Sequence, residues 1–587
     1  MRDPRYAPRN LEVGQGDAGT LTFFNPTRLD GAWLTTTAAL DHWAAIKPAQ
    51  TWLAERSGEG WREVGYGEAR DAVAAIAGGL TGLGLARGDV VLMLSRNSID
   101  TGLLKYAVMS QGLIAAPVSP QYGLAGADLT RLAHAVDLIQ PAAVFVDDAA
   151  AFAEALAAPF LAGLPVIAAR GAGAGQIPLA DLLKSAPARP CAEPDDIAKL
   201  LLTSGSTGKP KAVIGLHRNS AINSAQVAAC YADPEPPVVV NQAPWSHSLG
   251  ANAILQMVLH RGGTLYIDAG QPVAGRNGET VRNLKEIAPT YHNMVPAGWD
   301  LLAGELERDE ALARNFFSRV RVLQYGGAGL GQSTCDRIQA VAVRTVGEKI
   351  SFASGYGATE TGPTATNVHW PNEVMGLMGL PLAQTTVRLV PVGDKLEFRV
   401  EGPQVSPGYY RAPEATAGAF DEEGFYRLGD AARLADPQRP EMGLIFDGRL
   451  SENFKLSSGT FVNAGALRIA ALSAIGGAAS DAVVCGEGQS GVGLLLFRNE
   501  AFGLALGSEE AVIAAVRAGL ERFNREAKGS GGKIVRALLL DDLPHAASGE
   551  ITDKGYINQT TARTRRAGDI ARLFAAHPDA GVLSFEG

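Results

Sequence analysis

The chain has 587 residues, enough for roughly three to five domains of about 100 to 200 residues and a large core without metal or disulfide staples. Hydrophobic residues make up 46% and charged residues 19%, with 69 glycines and 32 prolines, which excludes both a disordered polar chain and a collagen-like repeat. Sixty-one acidic against 52 basic residues leave a net charge of -9, and that balance offers no general attraction to a nucleic-acid backbone or an anionic membrane.

The start, MRDPRYAPRNLEVGQGDAGT, has basic residues but no apolar stretch of signal-peptide length, and no later segment reaches membrane-spanning length. From roughly residue 65 to 360, short apolar runs alternate with helix-like segments. The runs at 89–94, 141–146, 198–203, 262–267 and 319–325 are predicted strands, and 219–231 and 249–260 are predicted helices. The spacing predicts layered α/β subdomains. After about residue 385 the texture changes to KLEFRVEGP, GFYRLGD and GLIFDGR, short strand-like pieces broken by glycine that predict a β-rich subdomain.

The tail carries predicted strands at 481–486, 491–497 and 533–540 around a long amphipathic helix at 509–527, which reads as a separate α+β domain. The expected fold is α/β, with an N-terminal domain over 1–448 that includes the β-rich part, and a small C-terminal domain over 449–587. Cys191, Cys230, Cys335 and Cys485 form neither a CxxC pair nor a dense secreted framework, and the ending SFEG carries no lipidation or peroxisomal address. A reducing cytoplasm is the expected compartment.

The sharpest local signal is TSGSTGKPK, running Thr203, Ser204, Gly205, Ser206, Thr207, Gly208, Lys209, Pro210, Lys211 directly after a predicted strand. Small residues let the backbone turn tightly, so that N–H groups and hydroxyls can surround phosphate oxygens while Lys209 or Lys211 supplies charge. The pattern is not a Walker A loop: Thr203 stands where the first glycine is required, and Pro210 follows Lys209 where Ser or Thr is required. The loop predicts a polyphosphate site of another class. In YGATE, Glu360 is a hard-oxygen ligand suited to Mg2+ near phosphates. Asp430, in FYRLGD, offers acceptor oxygens to a sugar, and Arg449 has the complementary donors. Gly326, Gly327 and Ala328 allow close backbone passage beside a planar ligand.

Taken together, TSGSTGKPK, PWSHSLG at 244–250, YGGAG at 325–329, YGATETG at 356–362, YRLGD at 426–430, DGR at 447–449 and GEITDKGYINQ at 549–559 resemble the adenylate-forming superfamily of acyl-CoA synthetases, luciferases and adenylation domains. The resemblance extends from about residue 65 to Lys554. Within it, LSENFKLSSGTFVNAGALR at 450–468 and GEITDKGYINQ are similar to the feruloyl-CoA synthetase group.

The resemblance implies phosphate-loop roles for Thr207 and Lys211, phosphate binding by Thr359, a magnesium-ATP role for Glu360, ribose contacts for Asp430 and Arg449, and base stacking by Tyr356 beside Gly327 and Ala328. It makes Trp245 and His247 an aromatic-imidazole gate at the acyl entrance. His247 need not act as a base, since a carboxylate is already ionised at neutral pH. It gives Lys554 the task of stabilising charge during adenylation, and it implies a mobile C-terminal domain that rotates about the segment after Arg449. Two departures stand out. Ser451 occupies a hinge position often held by Asp or Lys, and Thr460 and Phe461 follow Gly459 where many relatives carry an arginine.

The implied reaction joins a carboxylate to ATP as acyl-AMP with release of pyrophosphate, then passes the acyl group to a thiol with release of AMP. Coenzyme A is the expected thiol, because the tail after the small domain has no room for a carrier or a reductase. Trp245, Tyr291, His292, Met294 and Trp299 are the expected pocket residues, aromatic walls suited to a flat phenolic acid. By resemblance that acid is ferulate, p-coumarate or caffeate. A medium-chain aliphatic acid, a separate acyl-carrier protein and a nucleotide-binding regulator without turnover are the alternatives. The expected cofactors and partners are ATP, Mg2+, CoA and a small aromatic acid, with no nucleic acid and no membrane, and self-association is compatible with this reading.

Overall fold

A computed structural model of the chain describes residues 1–204, 210–273, 275–393, 395–450, 454–499, 502–503, 506–527, 529–545, 550–551 and 557–585. The expectations for Gly205, Ser206, Thr207, Gly208, Lys209, Ser451 and Lys554 concern residues outside those described. The chain forms two compact units. One comprises Met1–Arg388, Arg399–Leu428 and Ala435–Leu444, and the other comprises Leu389–Phe398, Gly429–Leu434 and Ile445–Gly587.

In the larger unit, a seven-stranded sheet runs in the spatial order Pro210–Leu216, Ile197–Ser204, Ile114–Val118, Val90–Leu94, Ala143–Val146, Val166–Ala168, Ile177–Pro178. All neighbours are parallel except the first two, which pair antiparallel. Sequences such as VVLML and AVFV carry no polar alternation because helices cover both faces of a parallel sheet. Val91, Met93 and Phe145 accordingly enter one core cluster, while Val90, Leu92, Val144 and Val146 enter another on the opposite face.

A four-stranded sheet orders Val238–Asn241, Thr264–Ile267, Thr51–Ser57 and Gly60–Gly65. Three further parallel strands, Tyr291–Met294, Val322–Tyr325 and Ser351–Tyr356, are followed by antiparallel Thr366–Asn367 and Leu377–Pro381. The predicted helix at 249–260 is present, but Leu249–Gln256 winds as a π-helix before Met257–His260 closes to α. This wide winding is a local irregularity that recurs at functional sites.

In the smaller unit, Ala479–Cys485, Val492–Arg498, Ile534–Leu540 and Val582–Ser584 form a mixed sheet. Helix Glu509–Glu526 makes the crossover between its two parallel strands. Ser508 starts that helix by accepting a hydrogen bond from the Ala511 N–H at 3.2 Å. Val484, Leu494, Leu496 and Leu520 pack on one side of the sheet, and Val483, Leu495, Phe497 and Leu573 on the other. The α/β architecture with a large N-terminal part and a smaller C-terminal α+β part is the one expected from sequence.

The cysteines are unpaired: Cys191 is exposed, and Cys230, Cys335 and Cys485 are buried. Burial pushes each of these three thiols up to about 12. Among the described residues, no helix is long and apolar enough to cross a membrane.

Candidate active site

The glycine-rich segment joins two strands that the sequence reading did not pair. Thr203 lies opposite Lys211, and Ser204 opposite Pro210, in an antiparallel ladder. Ile197–Ser204 and Pro210–Leu216 are therefore antiparallel partners, with Pro210 at a strand start, where its missing N–H is tolerated. Lys211 is half-buried, with its Nζ 4.8 Å above the Tyr409 ring.

Tyr409 arrives there because the segment around it runs along the second hairpin strand. Ile214 N–H donates to Gly408 O at 3.0 Å, and Tyr410 N–H donates to Ala212 O at 2.8 Å. Ser406 Oγ donates to Ile214 O at 2.7 Å, and Ser406 N–H donates to Glu360 O at 2.8 Å. One short stretch of backbone thus ties the hairpin to the turn Thr359–Thr361.

That turn is tightly specified. Ala358 N–H donates to Thr361 Oγ1 at 2.9 Å. A Cβ on Gly357 would run into Pro363 O and Thr361 Oγ1, so no larger residue fits there. Thr359 Oγ1 shares a 3.1 Å hydrogen bond with Ser248 Oγ, and Asn252 Nδ2 donates to Gly362 O at 3.1 Å. These contacts bind the PWSHSLG loop and the π-helix to the same turn. The Glu360 side chain is buried, 8% exposed, and its Oε1 accepts a 2.9 Å hydrogen bond from Tyr409 Oη. Tyr426 Oη lies 3.3 Å from Tyr409 Oη. Burial and the Glu360 charge hold both phenols above their ordinary range, so both remain protonated donors. A small cleft opens beside the turn, lined by Lys199, Val213, Asn219, Asn252, Thr359 and Ser406 among others.

The three parallel strands ending at Met294, Tyr325 and Tyr356 present their carboxyl ends side by side, with Met294 in register with Tyr325 and Tyr325 with Ser354. Crevices outside such strand ends are where open α/β sheets bind ligands. Gly327 and Ala328 are exposed and Tyr356 is half-buried. A Cβ at Gly326 would sit 3.5 Å from Leu249 Cδ1, and one at Gly327, whose φ is +85°, 3.8 Å from Val295 Cγ1. In the smaller unit, Arg449 Nε lies 3.5 Å from Asp430 Oδ1.

The expected acyl-pocket residues are distributed through several environments. Trp245 is 4% exposed. Its backbone N–H donates to Asn97 Oδ1 at 2.9 Å, and its ring packs beside Gly102. His247 is half-buried, and its carbonyl accepts from Ala251 N–H at 2.9 Å. Tyr291 packs edge-on to Tyr231 at 6.4 Å, at the end of its strand away from Met294. His292 lies edge-on between Trp299 and Phe316 at 5.3 and 5.2 Å. Burial pulls its imidazole down to about 3, so it is neutral. Trp299 is fully buried and donates from Nε1 to Gln324 O at 3.0 Å. Met294 lines a separate small cleft with Gln242, Thr280 and Gly298.

Sequence reasoning missed Tyr409, Tyr426, Ser248 and Ser406. The signal for Tyr426 was available in YRLGD, a motif read for its aspartate, and Tyr409 stands in the GYYRAPE stretch after the β-rich strands.

The sequence model of the family described as AMP-binding enzyme matches residues 40–410, and that of AMP-binding enzyme C-terminal domain matches residues 456–578. The chain is 27% identical over 452 residues to a carboxylic acid reductase of Mycobacterium marinum, which covers 68% of this chain and 37% of that protein. It is 29% identical over 385 residues to a feruloyl-CoA synthase of an Amycolatopsis species, covering 63% of this chain and 71% of that protein. The chain thus spans little more than a third of the length of the reductase it matches. Among solved structures, the adenylation domain of a carboxylate reductase from Mycobacterium chelonae superposes with a TM-score of 0.75 at 20% identity, covering 93% of this chain and 92% of that one.

Proposed function

Because the chain belongs to the AMP-binding enzymes, whose model matches residues 40–410, we propose that it activates an aromatic acid, ferulate or a related hydroxycinnamate, as acyl-AMP and transfers the acyl group to CoA. Its general chemistry is ATP-dependent acyl activation. The observation that carries the reading is the convergence of Lys211 and the Glu360 carboxylate on Tyr409, directly after the glycine-rich TSGSTGKPK sequence.

In the first step a carboxylate oxygen attacks the α-phosphorus of ATP, the bond to the β-phosphate breaks, and pyrophosphate leaves. Lys211 and the glycine-rich sequence before it would hold the phosphates, and Lys554 would offset charge on the transferring phosphoryl group. In the second step the thiol sulfur attacks the acyl carbon and AMP departs. Asp430 and Arg449 would take the ribose hydroxyls, and Thr359 a phosphate oxygen.

Among the described residues, no group of three His, Cys, Asp or Glu side chains could hold a metal by itself. A single buried carboxylate, Glu360, fits Mg2+ shared with the nucleotide, since this cation is commonly held by one or two carboxylates plus substrate phosphates. When bound there, Mg2+ would supply charge stabilisation for the departing pyrophosphate.

Support for a hydroxycinnamate comes from the similarity to feruloyl-CoA synthase and from the C-terminal motifs. A second reading, transfer to a carrier-bound thiol, draws on the similarity to carboxylic acid reductases. An acid panel with ATP and either CoA or a purified carrier, followed by mass for AMP and thioester, tests both. Ferulate-dependent AMP and feruloyl-CoA are expected. ADP as the nucleotide product would overturn the chemistry, and exclusive loading of the carrier would overturn the choice of thiol.

A further inference from the structure

We propose that Tyr409, backed by Tyr426, is the positioning residue that holds the Glu360 carboxylate and the Lys211 ammonium in register for the metal-nucleotide complex. The inference rests on the reading above and concerns residues to which no motif assigned a role.

Glu360 is 8% exposed and Tyr409 and Tyr426 are 9% and 7% exposed, so the carboxylate cannot rely on water to fix its direction. A buried carboxylate needs donors, and those that reach it decide where its oxygens point. Tyr409 Oη donates to Oε1 at 2.9 Å, and Tyr426 Oη sits 3.3 Å from Tyr409 Oη, forming a relay of two hydroxyls. The same Tyr409 ring carries Lys211 Nζ on its face at 4.8 Å.

One aromatic side chain therefore contacts an anion through its hydroxyl and a cation through its π-face, and sets the distance between them. Its own position is fixed by backbone pairing, because Tyr409 bridges Val213 across from the hairpin strand, and its N–H donates to Thr416 Oγ1 at 2.9 Å. Hydrogen-bond partners of metal-ligating carboxylates are worth about 10- to 100-fold in metal affinity or activity.

The test is binding of ATP to the full-length protein by calorimetry, with and without Mg2+ and without acid, for wild type, Tyr409→Phe and Tyr426→Phe. Tyr409→Phe keeps the ring and its cation contact and loses only the hydroxyl. It is expected to weaken Mg2+-ATP binding about 10-fold while metal-free ATP binding changes less than about 2-fold. Tyr426→Phe is expected to weaken Mg2+-ATP binding about 3-fold in the same selective manner, and it decides the matter should Tyr409→Phe not fold. Equal weakening with and without metal, or no change in either, overturns the positioning role. Pyrophosphate exchange by the wild type is run alongside: its absence with every acid would sink the proposed activity, whereas exchange with unaltered variant binding would sink only this inference.

Discussion

Thr203 and Lys211 face each other directly across an antiparallel strand pair. The two ends of the intervening segment are therefore pinned at cross-strand distance, about 4.5 to 5.5 Å. The Lys211 Nζ rests 4.8 Å from the centre of the Tyr409 ring. Lys211→Ala removes a charge held in place by the ladder and by Tyr409, and is expected to lower pyrophosphate exchange by about 100-fold, with thermal midpoint nearly unchanged. An activity loss below about 3-fold would remove Lys211 from the phosphate site.

Gly357 sets up the turn that delivers Glu360. In Gly357→Ala the new methyl meets Pro363 O and Thr361 Oγ1, and relief requires breaking the Ala358-to-Thr361 hydrogen bond. The expected cost is about 1–3 kcal/mol of stability, together with loss of acid-dependent AMP formation even at temperatures where the variant stays folded. Full activity with reduced stability would separate the turn from the chemistry.

Lys105 gives a pH signature. It is 1% exposed, its Nζ has no hydrogen-bond partner among the described residues, and burial pulls it down to about 7. Nearby, burial and the Lys105 charge push Lys199 well below its ordinary value. Burial, with the Lys199 charge as a further cause, pulls His217 down to about 4. An unfolded lysine keeps its proton to about 10.4. Between about 7 and that value the unfolded chain holds the extra proton, so this group makes stability rise with pH. Below about 7 its full cost is present. Lys105→Met is expected to stabilise the protein by on the order of 1–4 kcal/mol at pH 6, with the gain shrinking toward pH 9 in urea denaturation. A gain independent of pH would contradict a buried titrating ammonium.

Lys554, which lies outside the described residues, yields a prediction from sequence. Lys554→Ala is expected to cut acyl-AMP formation by about 100-fold or more while leaving much of the thiolysis of supplied acyl-AMP. Rapid-quench measurement of each half-reaction checks this, and equal loss in both would show that the lysine serves more than adenylation.

The sheet strands were legible where burial on both faces leaves an unbroken apolar run, as in VVLML and AVFV. Pro210–Leu216 was not, because its opening lysine and proline read as a continuation of the turn. The motif residues Thr359 and Glu360 were legible through their order along the chain, but Tyr409 was not, since nothing local says that a phenol 49 residues later reaches the carboxylate. The aromatic pocket illustrates a different obstacle. Tyr291 and His292 are neighbours on a strand, so their side chains leave opposite faces, and aromatic composition alone does not distinguish a ligand wall from the packing around Trp299.

The cysteine arrangement has a practical corollary for a protein expected to handle a thiol substrate. Three sulfhydryls are shielded and unreactive as thiolates, which leaves Cys191 as the accessible one. A maleimide dye would therefore label the native chain at one known address without engineering. Aged, oxidised CoA preparations would leave their mark at that same address as a single mixed disulfide, visible as one mass increment.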